Sequence, residues 1–395
     1  MLFVSFFVIS FLIFFITSAG ENPYNYFTRL ADAFLHGRLY LTNQPSWLSE
    51  LVPMSSTVFY VVQPPLPALL SLPFVAVFGA GFQQQILAHL IGAGITVVTM
   101  AIAKSIFNTR NAMVFGGILG GFGTIMWYEA ATGSVWYLGQ ITCAFFLLLG
   151  ILESLTQKRP HIMGAFLGAA YLSRIHTILA APFFLYILYQ SFSREKIFSL
   201  VKGGQWAPVL PPFILFVLGA LPFLLFNALY NYARWGSPLD KGYFLIPGIY
   251  DEPWFSKGML NIEYIPDHLS LLFLKLPKIF SHAPYIMPSW FGLAIWITTP
   301  VFIATLFAPI KKRLVQVSWF VSFLIFLVVA LRGGTGWTQF GYRYAVDFYP
   351  FLLLLTFLGI KRTGFKKIYW ILLLIGVTVN LWGVIWINKF GWVEF

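Results

Sequence analysis

Cysteine and charge are what this sequence has least of. A single cysteine, Cys143, stands among 395 residues, so no intramolecular disulfide can form and a disulfide-stapled secreted scaffold is excluded. Charged residues make up 10% of the chain, far below the roughly 25% of soluble domains. That little charge cannot cover a water-soluble globule. The six histidines include no i, i+4 pair, which removes the zinc-helix motif. No Walker A, Rossmann fingerprint or Gly-x-Ser-x-Gly is present. Fixed-period repeats and low-complexity tracts are missing too, which excludes collagen-like and disordered classes.

What is present is apolar: 59% hydrophobic and 19% aromatic residues. Runs long enough to cross a bilayer recur along the whole length, at roughly 2–19, 84–104, 112–129, 134–152, 161–174, 176–191, 208–230, 289–310, 314–331, 346–360 and 368–388. The expected fold is an all-α polytopic membrane helix bundle of about eleven spans. The net charge of +12 follows the same pattern. With a cytoplasmic N-terminus, the inside loops hold Lys104/Arg110, Lys158/Arg159, Arg194/Lys196/Lys202, Lys311/Lys312/Arg313 and Lys361/Arg362/Lys366/Lys367, against only Glu153 and Glu195. The remaining charges balance. This is the positive-inside distribution of a multi-pass plasma-membrane protein. The basic excess sets orientation and implies no nucleic-acid partner.

One segment needs separate treatment. Pro64 to Gly79 is apolar but short, and Pro67 and Pro73 interrupt it. A re-entrant or interface-lying helix there preserves the charge rule, with the N-terminus inside and the C-terminus outside. The first run is read as a span. It lacks the basic n-region of a signal peptide, although Thr17-Ser18-Ala19-Gly20 offers small residues.

The whole chain reads as one transmembrane domain with two large outer loops, 20–83 and 231–288, and a short third, Arg332 to Asp347. Inside loops are short and basic. Outside loops are long, aromatic and carry carboxylates near the spans, so chemistry is expected on the outer face. In the first loop an amphipathic helix is expected from Tyr24 to His36, ended by Gly37. Glu21 and Asp32 lie near three helical turns apart, so either can serve as a general base. The plain alternative is a helix-terminus charge for Glu21 and an Asp32 pair with Arg29 or His36. Glu129 ends a span beside Trp127 and Tyr128, as a polar helix terminus or as a site residue. Arg174 and His176 sit at an outer turn, where an arginine either snorkels or binds phosphate. Arg343, with Arg332 upstream, presents a guanidinium suited to phosphate; a local pair with Asp347 is its structural alternative. The run Gly116–Gly123 reads as helix packing.

Several stretches resemble the GT-C membrane glycosyltransferases, in the branch of protein O-mannosyltransferases and aminoarabinose transferases. They are Glu21-Asn-Pro-Tyr24 through Gly37, Gln63-Pro-Pro-Leu66 to Phe78-Gly79, Leu172-Ser-Arg174, and Arg343-Tyr344 through Pro350. The stretch from Asn231 through Arg234 to Tyr243 is similar to one in bacterial members. Two departures stand out: Gly20-Glu21 leaves one carboxylate where the family commonly has an Asp-Glu pair, and Gln63 replaces a Lys or His before Pro-Pro.

The resemblance implies a GT-C fold and a polyprenyl-phosphate sugar donor bound from the membrane. It further implies transfer with inversion to an outer-face glycan, lipid or protein in cell-envelope glycosylation. A carboxylate, Glu21 or Asp32, would deprotonate the acceptor, and Arg343, Arg174 and Arg332 would hold the donor phosphate. Some relatives use a divalent metal; the carboxylates here are dispersed in sequence. The rival readings are a transporter or flippase for an amphipathic lipid, which should carry ionisable residues near the midplane, and a non-catalytic envelope-assembly protein.

Overall fold

In hydrocarbon no water is available to the peptide groups, so each apolar run must close its hydrogen bonds within itself. The computed structural model describes residues 1–191, 210–337 and 339–393, and its apolar runs are overwhelmingly helical. In chain order the helices are α1 (Leu2–Thr17), α2 (Tyr26–Leu35), α3 (Leu66–Phe78), α4 (Gln84–Phe107), α5 (Arg110–Phe122), α6 (Met126–Thr132), α7 (Val135–Leu155) and α8 (Pro160–Ser173), then α9 (Ala181–Ser191), α10 (Leu210–Trp235), α11 (Ile265–Phe273), α12 (Arg313–Ala330), α13 (Tyr349–Thr363) and α14 (Lys367–Phe390). Among the described residues five helices, α4, α7, α10, α12 and α14, are long and apolar enough to cross a bilayer singly. The inside cluster Arg194, Lys196 and Lys202, with Glu195, lies outside the described residues.

Two expected straight spans are broken. The run 112–129 divides at Gly123 into α5 and α6. The run 289–310 becomes a helical turn, Ile295–Thr298, followed by a 3-10 segment, Pro300–Phe307. Pro300 supplies the reason: it has no N–H to donate and drives the preceding residue out of the α region. The glycine run does pack helices closely. A methyl at Gly116 would sit 2.6 Å from Ala103 Cβ, and one at Gly120 would sit 2.6 Å from Thr99 Cβ, both on α4. Close backbone approach of this kind is how helices associate in lipid.

The first outer loop folds as a unit. The apolar face of α2 (Tyr26, Phe27, Leu30, Ala31, Ala33) is buried, and the helix packs against α3. It ends before Gly37, whose φ of +67° is cheap only for glycine. A short antiparallel hairpin follows, β1 (Leu51–Ser55) and β2 (Val58–Val61), with Leu51 opposite Val61. Helix α3 is short and begins just after a proline pair. A second minimal hairpin, β3 (Lys278–Ile279) and β4 (Ile286–Met287), lies further on.

Candidate functional site

Segments far apart in sequence converge on one small cavity of about 20 Å³, lined by Glu50, Trp136, Arg174, Tyr243, Arg332, Arg343 and Tyr344. Arg174 stands just past the end of α8, in extended backbone before the 3-10 turn Ile175–Ala180. Arg332 and Arg343 belong to the loop between α12 and α13. Trp136 is in the first turn of α7, Tyr243 in the 3-10 turn Gly242–Leu245, and Glu50 immediately precedes β1.

Two larger spaces share these walls. A polar cavity of about 370 Å³ includes Glu50, Trp136, Tyr243, Arg332, Arg343 and Tyr344, and adds Tyr24, Trp47, Glu252, Trp254 and Trp337. A cleft of about 410 Å³ shares Arg174, Tyr243, Arg332 and Tyr344 and adds His176 and Asp240, but is otherwise apolar, with Val62, Pro64, Ile175, Phe244, Met259, Leu260, Val328 and Val329. The arginines therefore stand at the junction of an apolar and a polar space.

Their charge is only partly compensated. Asp347, fully buried, accepts from Arg174 Nε and Nη2 at 3.2 and 2.8 Å on one oxygen, which also meets His176 Nε2 at 2.9 Å. Among the described residues Arg332 and Arg343 are in no ion pair. Arg332 stacks on the Tyr243 ring at 4.3 Å, and Arg343 lies 5.1 Å from the Tyr344 ring and 5.6 Å from that of Trp136. Arg343 Nε is buried and finds no hydrogen-bond partner among the described residues. Burial alone would raise the Tyr344 phenol, yet the charges of Arg332, Arg343 and Arg174 outweigh it and hold the group below its ordinary value. Such a field is suited to an anion.

The only carboxylate lining the small cavity is Glu50. It accepts from Trp136 Nε1 at 3.0 Å, from the Tyr243 hydroxyl at 3.1 Å, and from Gln63 Nε2. Its own backbone N–H donates to the Tyr26 hydroxyl at 3.1 Å. Burial, reinforced by the Glu50 charge, pushes the Tyr26 and Tyr243 phenols well up, so both remain protonated donors or acceptors.

The arginine loop is pinned from two sides. Gln339 Oε1 accepts from the Arg343 backbone N–H at 3.1 Å, while its Nε2 donates to the Phe291 carbonyl at 2.9 Å. A methyl at Gly336, whose φ is +87°, would stand 2.9 Å from Arg343 Nε and from Gln339 Oε1. Glycine there admits both the turn and the guanidinium. On the other side, His268 Nε2 lies 2.9 Å from the Arg332 carbonyl and Nδ1 2.6 Å from the Tyr342 hydroxyl. A carbonyl only accepts, so Nε2 carries the proton.

Of the residues singled out from sequence, Arg343, Arg174, Arg332, His176 and Tyr24 reach these cavities, Gln63 holds Glu50, and Asp347 holds both Arg174 and His176. Asp347 is thus the partner of Arg174 and not of Arg343. Glu21 is exposed, and Asp32 is on the outer side of α2 with His36 at 3.7 Å; neither lines the cavities described. Glu129 is buried, with both oxygens lacking a hydrogen-bond partner among the described residues. Arg234 fastens α10 to β2: it donates to the Val61 carbonyl and to Asn231 Oδ1, and lies 3.7 Å from the Tyr230 ring. Glu50, Trp136 and Tyr243 were not anticipated. The signal for Glu50 was its isolation, since it is the only acid between Asp32 and Glu129.

A divalent cation does not fit this donor set. One carboxylate stands among three guanidinium groups, and among the described residues no cluster of His, Cys, Asp and Glu gathers elsewhere.

No family model matches the chain, and no curated protein resembles it in sequence. Among solved structures it is similar to ArnT from Cupriavidus metallidurans. The crystal structure bound to undecaprenyl phosphate matches at 15% identity and a TM-score of 0.56, over 96% of this chain and 62% of ArnT. The apo crystal structure matches at 14% identity and a TM-score of 0.56, over 94% of this chain and 62% of ArnT. The chain therefore spans less than two thirds of the length of these structures. The likeness establishes the fold, which is the helical GT-C architecture expected from the sequence.

Proposed function

We propose that the protein is a membrane glycosyltransferase that takes a sugar from a polyprenyl-phosphate donor and passes it to a hydroxyl at the outer face, with inversion at the anomeric carbon. The observation that carries this reading is the junction itself: an apolar cleft and a polar cavity meet at three arginines. A donor of this class has the same three parts in the same order. Its hydrocarbon suits the cleft along Val328 and Met259, its phosphate suits Arg174, Arg332 and Arg343, and its sugar suits the polar side. That a protein of the same fold was solved with undecaprenyl phosphate supports the reading, as does the concentration of basic residues in the inside loops for an outward-facing site.

In the reaction, the acceptor oxygen forms a bond to the anomeric carbon as the bond from that carbon to the phosphate oxygen breaks. The electron pair leaves with the lipid phosphate, whose charge the guanidinium groups receive. The acceptor proton passes to a carboxylate. We assign that role to Glu50, in place of Glu21 or Asp32, because it is the carboxylate lining both the arginine cavity and the polar cavity. Three side-chain donors, from Gln63, Trp136 and Tyr243, orient it.

The test compares membranes containing wild type, Glu50→Gln, Glu21→Gln and Asp32→Asn, following by mass spectrometry the loss of polyprenyl-phosphate sugars and the release of free polyprenyl phosphate. Wild type should turn the donor over. Glu50→Gln should slow this about 10²–10⁴-fold while still binding the lipid. Full activity in Glu50→Gln refutes the base assignment, and a wild type that neither consumes nor binds such a donor refutes the function.

A further inference from the structure

Beside the polar cavity lies a second one, of about 430 Å³, to which the donor has no claim; its lining includes Trp254, Lys257, Tyr264, Asp267, Ser270 and Lys275. Trp254 and Gly334 line both spaces, so the indole is the partition between them. The ring is held in place. The Glu252 carboxylate accepts from its Nε1, and Trp337 meets it edge-on with ring centroids 4.6 Å apart. Behind it the chain approaches so closely that a methyl at Gly333 would stand 2.4 Å from the Trp254 carbonyl oxygen.

The chemistry of this lining differs from that of the arginine cavity. It has no guanidinium. Of its two lysines, Lys257 is already paired with Glu263, leaving Lys275 and the carboxylate of Asp267 as opposite charges. The hydroxyls of Ser256, Ser270 and Thr335 add groups that both donate and accept, beside the aromatic rings of Trp254 and Tyr264. An anion would find no surplus of positive charge here, and a hydrocarbon would strand the polar groups. A pyranose satisfies both kinds of wall: its C–H face lies on an aromatic ring and its hydroxyls both donate and accept.

We infer that the cavity bounded by Trp254, Tyr264, Asp267 and Lys275 is the acceptor subsite and that it binds an uncharged carbohydrate, with Trp254 as the platform that separates acceptor from donor. This rests on the glycosyltransferase reading and narrows it, making the acceptor a glycan.

The test uses the full chain in lipid nanodiscs free of glycoside detergent, with maltotriose and chitotriose as neutral probes and glucose 6-phosphate as an anionic one. Saturation-transfer NMR should detect a neutral oligosaccharide on wild type. Affinity should fall about tenfold in Trp254→Ala and in the near-isosteric Asp267→Asn, and remain in Arg343→Met. Adding a galactosyl diacylglycerol separates the sources: displacement of the oligosaccharide indicates a membrane-borne glycan, and its absence a soluble or protein-borne one, both with carbohydrate bound. No signal from either neutral probe, equal binding by wild type and both cavity variants, or preference for glucose 6-phosphate overturns the inference. Undecaprenyl phosphate binding, read by native mass spectrometry on the same samples, separates the two claims. Lipid bound without sugar refutes the acceptor subsite alone, whereas sugar bound without lipid refutes the donor reading.

Discussion

Replacing Arg343 by methionine separates a ligand-binding arginine from a structural one. The side chain is 8% exposed, its Nε lacks a partner among the described residues, and no ion pair compensates it. A phosphate in the cavity would accept charge-assisted hydrogen bonds, each worth about 1.5–3 kcal/mol, so losing one arginine should weaken undecaprenyl phosphate binding about tenfold to about a hundredfold. With the lipid at about one hundred times the wild-type Kd, binding stabilises wild type by about 2.7 kcal/mol, and the variant by only about 0.4–1.4 kcal/mol. The lipid-free protein should behave in the opposite way. Methionine removes an uncompensated buried cation and its desolvation penalty, and forfeits cation–π contacts of about 0.5–1 kcal/mol each. Its stability should therefore stay within about 1 kcal/mol of wild type or rise. Unfolding followed by tryptophan fluorescence, with and without the lipid, reads both quantities. If Arg343→Met keeps the full lipid-induced stabilisation, or loses more than about 2 kcal/mol without lipid, Arg343 is a structural residue and the phosphate site is wrong.

Asp347→Asn should show the contrary pattern, because it strands Arg174 without its buried counter-charge. Lipid-free stability should fall by about 3–5 kcal/mol, and unfolding indistinguishable from wild type would show that the Arg174–Asp347 pair does not hold the junction. His268 should make stability sensitive to acid. Burial, with the Arg332 charge beside it, keeps its imidazole below the usual value of 6.5, so as pH falls below that value the unfolded chain takes up the proton first. Stability should be level above that range and decline as pH drops towards the folded-state pKa. His268→Gln should lack this component; a wild-type-minus-variant difference that does not change with pH would refute it.

Much of the architecture is legible in one dimension because lipid imposes a one-dimensional rule: apolar runs must be helical, and basic loops stay inside. The short, proline-bounded α3, the amphipathic α2 with its Gly37 terminus and the close packing at Gly116 all follow from local pattern. Arg174, Arg332 and Arg343 were legible for the same reason, since a guanidinium at the end of an apolar run needs a purpose. Which groups face one another was not. Asp347 lies four residues after Arg343, a spacing that pairs side chains on an α-helix, but Arg343–Asp347 is a 3-10 turn. At three residues per turn the two point to different sides, and Asp347 instead meets Arg174. Asp32 sits on the polar face of α2, and burial of the opposite face turns it away from the cavities. Glu50, with no helical period around it, is brought inside by Gln63, Trp136 and Tyr243 from three other segments. The sequence by itself determined the long apolar helices and the supply of arginines, because these depend on local hydrophobicity and charge. Only the tertiary structure decided which carboxylate meets the arginines and that an apolar and a polar space join there, because a buried charge is settled by the donors that long-range packing brings to it.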